Sequence, residues 1–208
     1  HRGGRGVKGQ TIREADIIQH LHFIDTHDTL LFFTNRGRVY AQKCYEIPQD
    51  TSRTTRGTPL VNLVPLADQE RVQTMISVPN LSVKGFVLIA TRRGIIKRMD
   101  FSNLSTIRSN GLIAMVMKPG DELVSVRTCS EDDEVLMITE QGQSIRFSVT
   151  QVPSRVTRAT GGVKGIRLLQ DDKLVGMDVA VPGLRLLTVS KRGFGKLTPI
   201  NSFPQHKR

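Results

Sequence analysis

Residues 30–40 read LLFFTNRGRVY: four bulky apolar side chains, a polar stretch closed by a glycine, then polar and apolar positions in alternation. The same order returns three times, as VLIATRRGIIKR at 87–98, VLMITEQGQSIRF at 135–147 and LLTVSKRGFGKL at 186–197. The turn glycines are Gly37, Gly94, Gly142 and Gly193, separated by 57, 48 and 51 residues. A run of β-branched and bulky apolar residues suits a buried strand, and glycine supplies the φ > 0 position of a tight turn, so each copy predicts a β-hairpin. The alternation beyond the glycine has a period of 2 rather than 3.6, which argues against helix. Recurrence at this spacing predicts a propeller or another repeat array.

A second element precedes each hairpin. It reads RGVKG at 5–9, RGTP at 56–59, NGLI at 110–113 and GGVKG at 161–165, with anchor glycines Gly6, Gly57, Gly111 and Gly162 spaced 51, 54 and 51 apart. From each anchor to its hairpin glycine the distance is 31, 37, 31 and 31 residues, so the two elements form one unit, lengthened once near 79–85. Between them lie a polar or acidic turn, at 13–16, 68–71, 120–122 and 171–173, and an apolar strand that starts near Ile17, Val72, Leu123 and Leu174. Pro48, Pro153 and Pro204 each follow the turn glycine by 11 residues and are expected to end the last strand, with Leu104 near that place in the second unit. The unit is thus about 51 residues with four short strands, the size of a propeller blade. The expectation is an all-β repeat domain over 1–208, with approximate blades 1–51, 52–107, 108–157 and 158–208. Helical content should be low, and 12–21 is the one place where a helical turn could form.

Thirty Lys and Arg against 19 Asp and Glu leave a formal charge of +11 and a pI near 10.3, which points to a polyanionic partner. With no Trp, two Tyr and eight Phe, stacking on unpaired bases is a poor main binding mode. An anionic membrane would also attract this charge. However, no apolar run approaches the roughly 18 residues of a spanning helix, and no basic amphipathic helix is evident, so no membrane partner is expected. Cys44 and Cys129 fall at different places in their repeats and form no CxxC. That suggests neither a disulfide framework nor a zinc site, and makes a reducing cytoplasm the simpler setting. The chain begins at His1 without an initiator Met or a signal sequence and is read as a piece of a longer polypeptide.

Candidate chemistry is sparse. Residues 4–9 satisfy GxGxxG, but a phosphate-cradling loop needs a preceding strand and a following helix, and a similar GGVKG recurs at 161 inside the β repeat. His20 and His22 alternate on an expected strand and face one way, yet third and fourth metal ligands at suitable spacing are missing. Glu131, Asp132, Asp133 and Glu134 occupy a turn between strands and read as a solvated acidic loop. No Ser, His and Asp constellation and no G-x-S-x-G is present, so nothing argues for catalysis.

The basic residues differ because they keep their place in the repeat. Arg36, Arg38, Arg92, Arg93, Lys97, Arg98, Lys191, Arg192 and Lys196 flank hairpin glycines. Lys8, Arg53, Arg56, Arg108, Arg155, Arg158, Lys164 and Arg167 lie around the anchors. Positions that recur per blade recur per angle around a ring, which predicts a curved cationic belt, interrupted where the third hairpin carries Glu140 and Gln141. Phosphate contacts carry little sequence information, so such a belt should hold duplex DNA of almost any sequence. Bending 20–30 base pairs by 40–90° costs on the order of 1–6 kcal/mol, which a handful of charge-assisted contacts offset.

These residues carry a family resemblance. His1, Arg2, Gly3, Gly4, Arg5 and Gly6 resemble the glycine- and basic-rich box of the DNA gyrase A subunit's C-terminal domain. Thr26, His27 and Asp28 with LLFFTNRGRVY and Tyr45, Glu46, Ile47 and Pro48 resemble its first blade. RGTPLVNL at 56–63 and GVKGIRL at 162–168 resemble the entries to its second and fourth. The resemblance implies a β-pinwheel, a propeller-like ring with its own strand connectivity and usually six blades, of which about four are present. It implies a noncatalytic domain that wraps duplex DNA around a basic rim with positive handedness, so that ATP-dependent strand passage introduces negative supercoils. In that family the box, here Arg2, Gly3, Gly4, Arg5 and Gly6, serves wrapping and closure between first and last blades. The catalytic tyrosine lies outside the domain, so neither Tyr40 nor Tyr45 takes that role. No cofactor is implied here, with ATP and Mg²⁺ used elsewhere in the holoenzyme. The implied partners are double-stranded DNA, the rest of the gyrase A polypeptide, and the gyrase B polypeptide in an A2B2 assembly at the nucleoid of the bacterial cytoplasm. Alternatives are the corresponding domain of topoisomerase IV, which guides DNA without strong wrapping and usually lacks an intact box, and a propeller-like protein-interaction platform.

Overall fold

Each apolar run forms the first strand of an antiparallel hairpin, and the strands that join the first three hairpins come from later units. The computed structural model describes residues 17–18, 20–50, 52, 57–82, 84–154 and 160–208. In chain order the strands are β1 (Thr29–Thr34), β2 (Arg38–Lys43), β3 (Val72–Val78), β4 (Phe86–Thr91), β5 (Ile95–Asp100), β6 (Leu112–Ile113) and β7 (Leu123–Cys129). They continue as β8 (Glu134–Thr139), β9 (Ser144–Ser148), β10 (Val163–Lys164), β11 (Leu174–Val179), β12 (Arg185–Val189) and β13 (Gly195–Pro199). The hairpins and the strands expected at Val72, Leu123 and Leu174 are therefore present. Helix is limited, among the described residues, to 3₁₀ turns of three or four residues, and no helix is long and apolar enough to cross a membrane. The expected helical turn at 12–21 falls mostly outside the described residues.

The pairing departs from one repeat per blade. The sheet orders are β3-β1-β2-β6, β4 and β5 flanked as β10-β5-β4-β7, then β11-β8-β9, and β12-β13. In each of the first three sheets the strand beside the first hairpin strand belongs to the next unit. In the first two, the outermost two-residue strand belongs to the unit after that. Boundaries at 51/52, 107/108 and 157/158 therefore separate strands that pair: β1 from β3, β4 from β7, and β8 from β11. The periodicity cannot distinguish a strand that folds back on its own hairpin from one that joins its neighbour's, because both leave the same spacing. Strand exchange of this kind is the pinwheel connectivity.

The prolines are also placed differently. Strands β2, β9 and β13 end at Lys43, Ser148 and Pro199, and a 3₁₀ turn follows each: Cys44–Glu46, Val149–Gln151 and Ile200–Ser202. Pro48, Pro153 and Pro204 come after that turn, so they close the turn rather than the strand. In the second unit the 3₁₀ turn is Phe101–Leu104, and buried Leu104 takes part in the core.

Stacking of successive sheets buries both faces of the leading strands β1, β4 and β8, and this explains their continuous apolar runs, whereas β12 of the fourth hairpin is largely exposed, against the expectation of a buried strand. From the first strands, Leu31 and Phe33 join Val87 and Ile89 between the first and second sheets. Leu88 and Ala90 turn the other way and join Val135, Met137 and Phe147 between the second and third. Leu136 meets Ala180, Ile200 and Leu186 beside the fourth. Strands β3, β7 and β11 contact one another in sequence and line a shared cavity of about 1140 Å³ with β12. Each of the first two hairpins therefore has an inner edge toward this cavity and an outer edge at β6 or β10.

Candidate nucleic-acid interface

The four hairpin turns share one local design. Their sequences are TNRG (34–37), TRRG (91–94), TEQG (139–142) and SKRG (190–193). In each, the glycine N–H donates to the carbonyl of the leading Thr or Ser at 2.9–3.0 Å, and the glycine φ lies between +73° and +84°. The hydroxyl of that Thr or Ser accepts the N–H of the residue after the glycine, at 3.3, 3.3, 3.1 and 3.2 Å. A hydroxyl that satisfies the backbone in this way fixes the turn, and the two residues between it and the glycine project outward. Arg36, Arg92, Arg93, Glu140, Gln141, Lys191 and Arg192 are exposed accordingly.

Hydrogen bonds set the first three turns side by side at one end of the sheets. The N–H groups of Asn35, Arg92 and Glu140 donate to the carbonyls of Arg71, Glu122 and Lys173, which stand in the acidic turns of the next units. The carbonyls of Asn35 and Arg92 accept from the N–H groups of Leu123 and Leu174, at the starts of β7 and β11 in the adjoining sheets. The acidic turns thus hold the hairpin turns in place. Glu70 accepts from the hydroxyls of Thr34 (2.7 Å) and Tyr40 (3.1 Å) and from the Ala67 N–H (3.0 Å). Burial pushes its pKa up, but these donors together with Arg38 outweigh burial and hold it below the usual carboxylate value. Asp121 accepts the N–H of Arg93, and Asp172 the N–H of Gln141, both at 3.1 Å. Asp172 shows the same balance, desolvation opposed by the Thr139 hydroxyl and by backbone donors, with a lowered pKa as the result.

The row of turns is unevenly charged. Glu122 pairs with Arg71 at 2.6 Å and with Arg92 at 2.5 Å, which ties the first and second sheets together. Arg36, Arg93, Arg108, Lys164, Arg167, Lys191, Arg192 and Lys196 are exposed and make no ion pair among the described residues. Arg71 and Lys118 stand at the same end and are cations that the repeat pattern did not single out. Arg71 was hidden inside an acidic turn, and Lys118 precedes one.

Three of the expected rim residues have other tasks. Lys97 is only 1% exposed, and its Nζ donates to the carbonyls of Ala114 (2.7 Å) and Thr160 (3.2 Å). Arg98 is 7% exposed and lies over the Phe86 ring at 4.6 Å. Both sit on β5, where the sheets on either side leave no solvent-facing register, so alternation misplaces them. Arg146 stands at the same offset from its turn glycine as Arg98. It donates to Glu134 (2.7 Å) and to the carbonyls of Ile200 and Phe203 (2.9 Å each). That offset therefore marks a structural arginine. Arg38 is half-buried, donates to the Asn110 carbonyl and lies 4.0 Å from Glu70. Arg2, Gly3, Gly4, Arg5, Gly6, Lys8, Arg53, Arg56, Arg155 and Arg158 lie outside the described residues.

The remaining candidates have local roles. A Cβ on Gly162 would stand 2.3 Å from the Ile96 carbonyl oxygen, so GGVKG is a close strand approach and β10 pairs with β5 there. His20 and His22 are exposed with ring centroids 6.2 Å apart, and no metal-holding group is found among the described residues. Glu134 belongs to the Arg146 pair, and Asp133 accepts the Ser130 N–H at 2.7 Å.

The family model described as "DNA gyrase C-terminal domain, beta-propeller" matches residues 1–25, 28–79, 85–130, 133–180 and 185–208. Three of these segments begin just before or at a hairpin and end after the strand of the next unit that pairs with it, as the sheets do. The DNA gyrase A protein of Dehalogenimonas lykanthroporepellens is 43% identical over 209 residues, which is 100% of this chain and 25% of that protein. The chain thus spans about a quarter of the length of that relative. A solved DNA gyrase A C-terminal domain superimposes with a TM-score of 0.77 at 26% identity, over 89% of this chain and 59% of that one. The C-terminal domain of a DNA topoisomerase IV has a TM-score of 0.76 at 24% identity, over 89% of this chain and 57% of that one, a likeness of fold. The fold alone fits both kinds of topoisomerase, but the family model and the whole-length sequence identity both point to gyrase: the chain belongs to the DNA gyrase A C-terminal domain family.

Proposed function

We propose that the chain binds double-stranded DNA through its phosphates and bends it along the row of hairpin turns, as the wrapping domain of a gyrase A protein. The observation that carries this reading is the hydrogen-bonded alignment of the first two turns, which presents Arg36, Arg71, Arg92 and Arg93 at one end of adjoining sheets. Cations on scattered surfaces would each touch a different molecule, whereas cations on adjoining turns meet successive phosphates of one duplex. The formal charge of +11 supplies attraction without sequence preference. In the intact gyrase A protein the wrapped segment would be presented to a cleavage core whose catalytic residues, ATP and Mg²⁺ lie outside this chain. The assembly would include the gyrase B protein in an A2B2 holoenzyme, and its place would be the nucleoid of the bacterial cytoplasm. The box residues Arg2 and Arg5 are assigned to wrapping rather than to simple affinity.

The test is duplex affinity measured against salt. Phosphate binding predicts that log K falls with log salt at about 0.9 per contact. A flat dependence would remove the DNA reading and leave a peptide platform as the better one.

A further inference from the structure

The third turn lies in the same row as the second, but the sign of its charge is reversed. Leu174 donates its N–H to the Arg92 carbonyl at 2.8 Å, and its neighbour Lys173 accepts the Glu140 N–H at 2.8 Å. The second and third turns therefore flank one short segment at the start of β11. The outward pair that is Arg92 and Arg93 in the second turn, and Lys191 and Arg192 in the fourth, is Glu140 and Gln141 in the third. Around it stand Asp171, exposed, and Asp172, whose Oδ1 is held by the Gln141 and Lys173 N–H groups. Lys173, the one cation of this cluster among the described residues, is paired with Glu140 at 3.2 Å.

We propose that Glu140 makes the third turn a break in the cationic track, so that a duplex held on the first two turns is released there and wrapping is weakest at this sector. This rests on the DNA reading above and adds to it where the hold fails. The backbone architecture of the third turn is unchanged, with the same glycine, the same hydroxyl bond and the same link to the next acidic turn. Only the charge differs, so the break is set by side chains that can be exchanged without altering the turn. A phosphate that approaches the third turn meets the Glu140 carboxylate, where the second turn offers Arg93, which is exposed and makes no ion pair among the described residues. Its nearest cation, Lys173, is already neutralised. The result is a wrap divided into a firmly held arc over the first two sheets and a loosely held continuation.

The experiment uses the full-length protein with a duplex labelled at both ends. Affinity is measured over a range of salt, and end-to-end distance by energy transfer. Glu140→Lys with Gln141→Arg copies the charge of the fourth turn and also frees Lys173. The variant should bind severalfold tighter at moderate salt, steepen the salt slope by about 1 to 2, one 0.9 increment per added contact, and bring the duplex ends closer. Glu140→Gln alone removes the repulsion and frees Lys173 without adding a cation to the turn, and should move affinity the same way by less. If the wild-type slope is steep and both variants match it in slope and distance, the duplex does not pass the third turn and the break is refuted while DNA binding stands. If the wild-type slope is itself flat, the DNA reading fails and the break fails with it.

Discussion

Lys97 and Arg93 belong to the same hairpin, yet one is sealed between sheets and the other faces solvent, so residue type alone does not make a binding cation. Arg93 should be read with Arg36, its counterpart one turn away. Replacing both by Ala should weaken duplex binding and lower the salt slope by about 2, measured by anisotropy titration, with little change in stability because both side chains are exposed. An unchanged slope would place the phosphates elsewhere. Lys97 makes a different prediction. Desolvation lowers its pKa from 10.5 to about 8. In the unfolded chain lysine keeps its proton to about pH 10.4, so between pH 8 and 10 the folded state binds fewer protons and stability rises with pH. Relative to Lys97→Met, the wild type should gain on the order of 2 kcal/mol from pH 7 to pH 10 in urea unfolding. Parallel pH profiles would show that Lys97 is not the desolvated ammonium described.

At the scale of the element, the turn glycines separate backbone strain from packing. Gly94 and Gly142 have φ of +73° and +84°. A Cβ on Gly94 would meet Ile166 Cγ2 at 2.8 Å and the Ile166 oxygen at 3.0 Å, whereas on Gly142 it meets nothing within 4 Å. Gly142→Ala should cost about 1 kcal/mol from the left-handed backbone alone, and Gly94→Ala about 3 kcal/mol once the clash is added. Denaturant unfolding compares them, and equal losses would contradict a packing role for Gly94. The hairpins were legible in the sequence because their signals are local: an apolar run, a Thr or Ser, and a glycine at fixed offset. The starts of β3, β7 and β11 were legible for the same reason. What the spacing could not convey was which hairpin those strands join, since Val72 reaches Thr34 across the repeat boundary without changing any interval. The buried cations of β5 escaped for a related reason. Their alternation suggests an open face, and only the neighbouring sheets close it.

At the scale of the whole molecule, strand exchange makes each sheet depend on its successors. Hairpin glycines are gripped from two units downstream: the Gly37 carbonyl accepts from Ala114 and Met115, and the Gly94 carbonyl from Gly165 and Ile166. The turn row is therefore set by contacts between units, and the curved DNA path proposed above would follow from that coupling rather than from any one blade. The box residues enter at this scale. Arg2→Ala with Arg5→Ala in the full-length protein should reduce supercoiling by the holoenzyme more than duplex affinity, measured by gel topology beside anisotropy. Equal losses would make the box another phosphate contact. The most direct test of wrapping is the linking number of a plasmid relaxed by a nicking-closing enzyme while the full-length protein is bound. Curvature of one hand along the turn row predicts topoisomers displaced in one direction in proportion to bound protein. An undisplaced distribution at saturating protein would contradict wrapping.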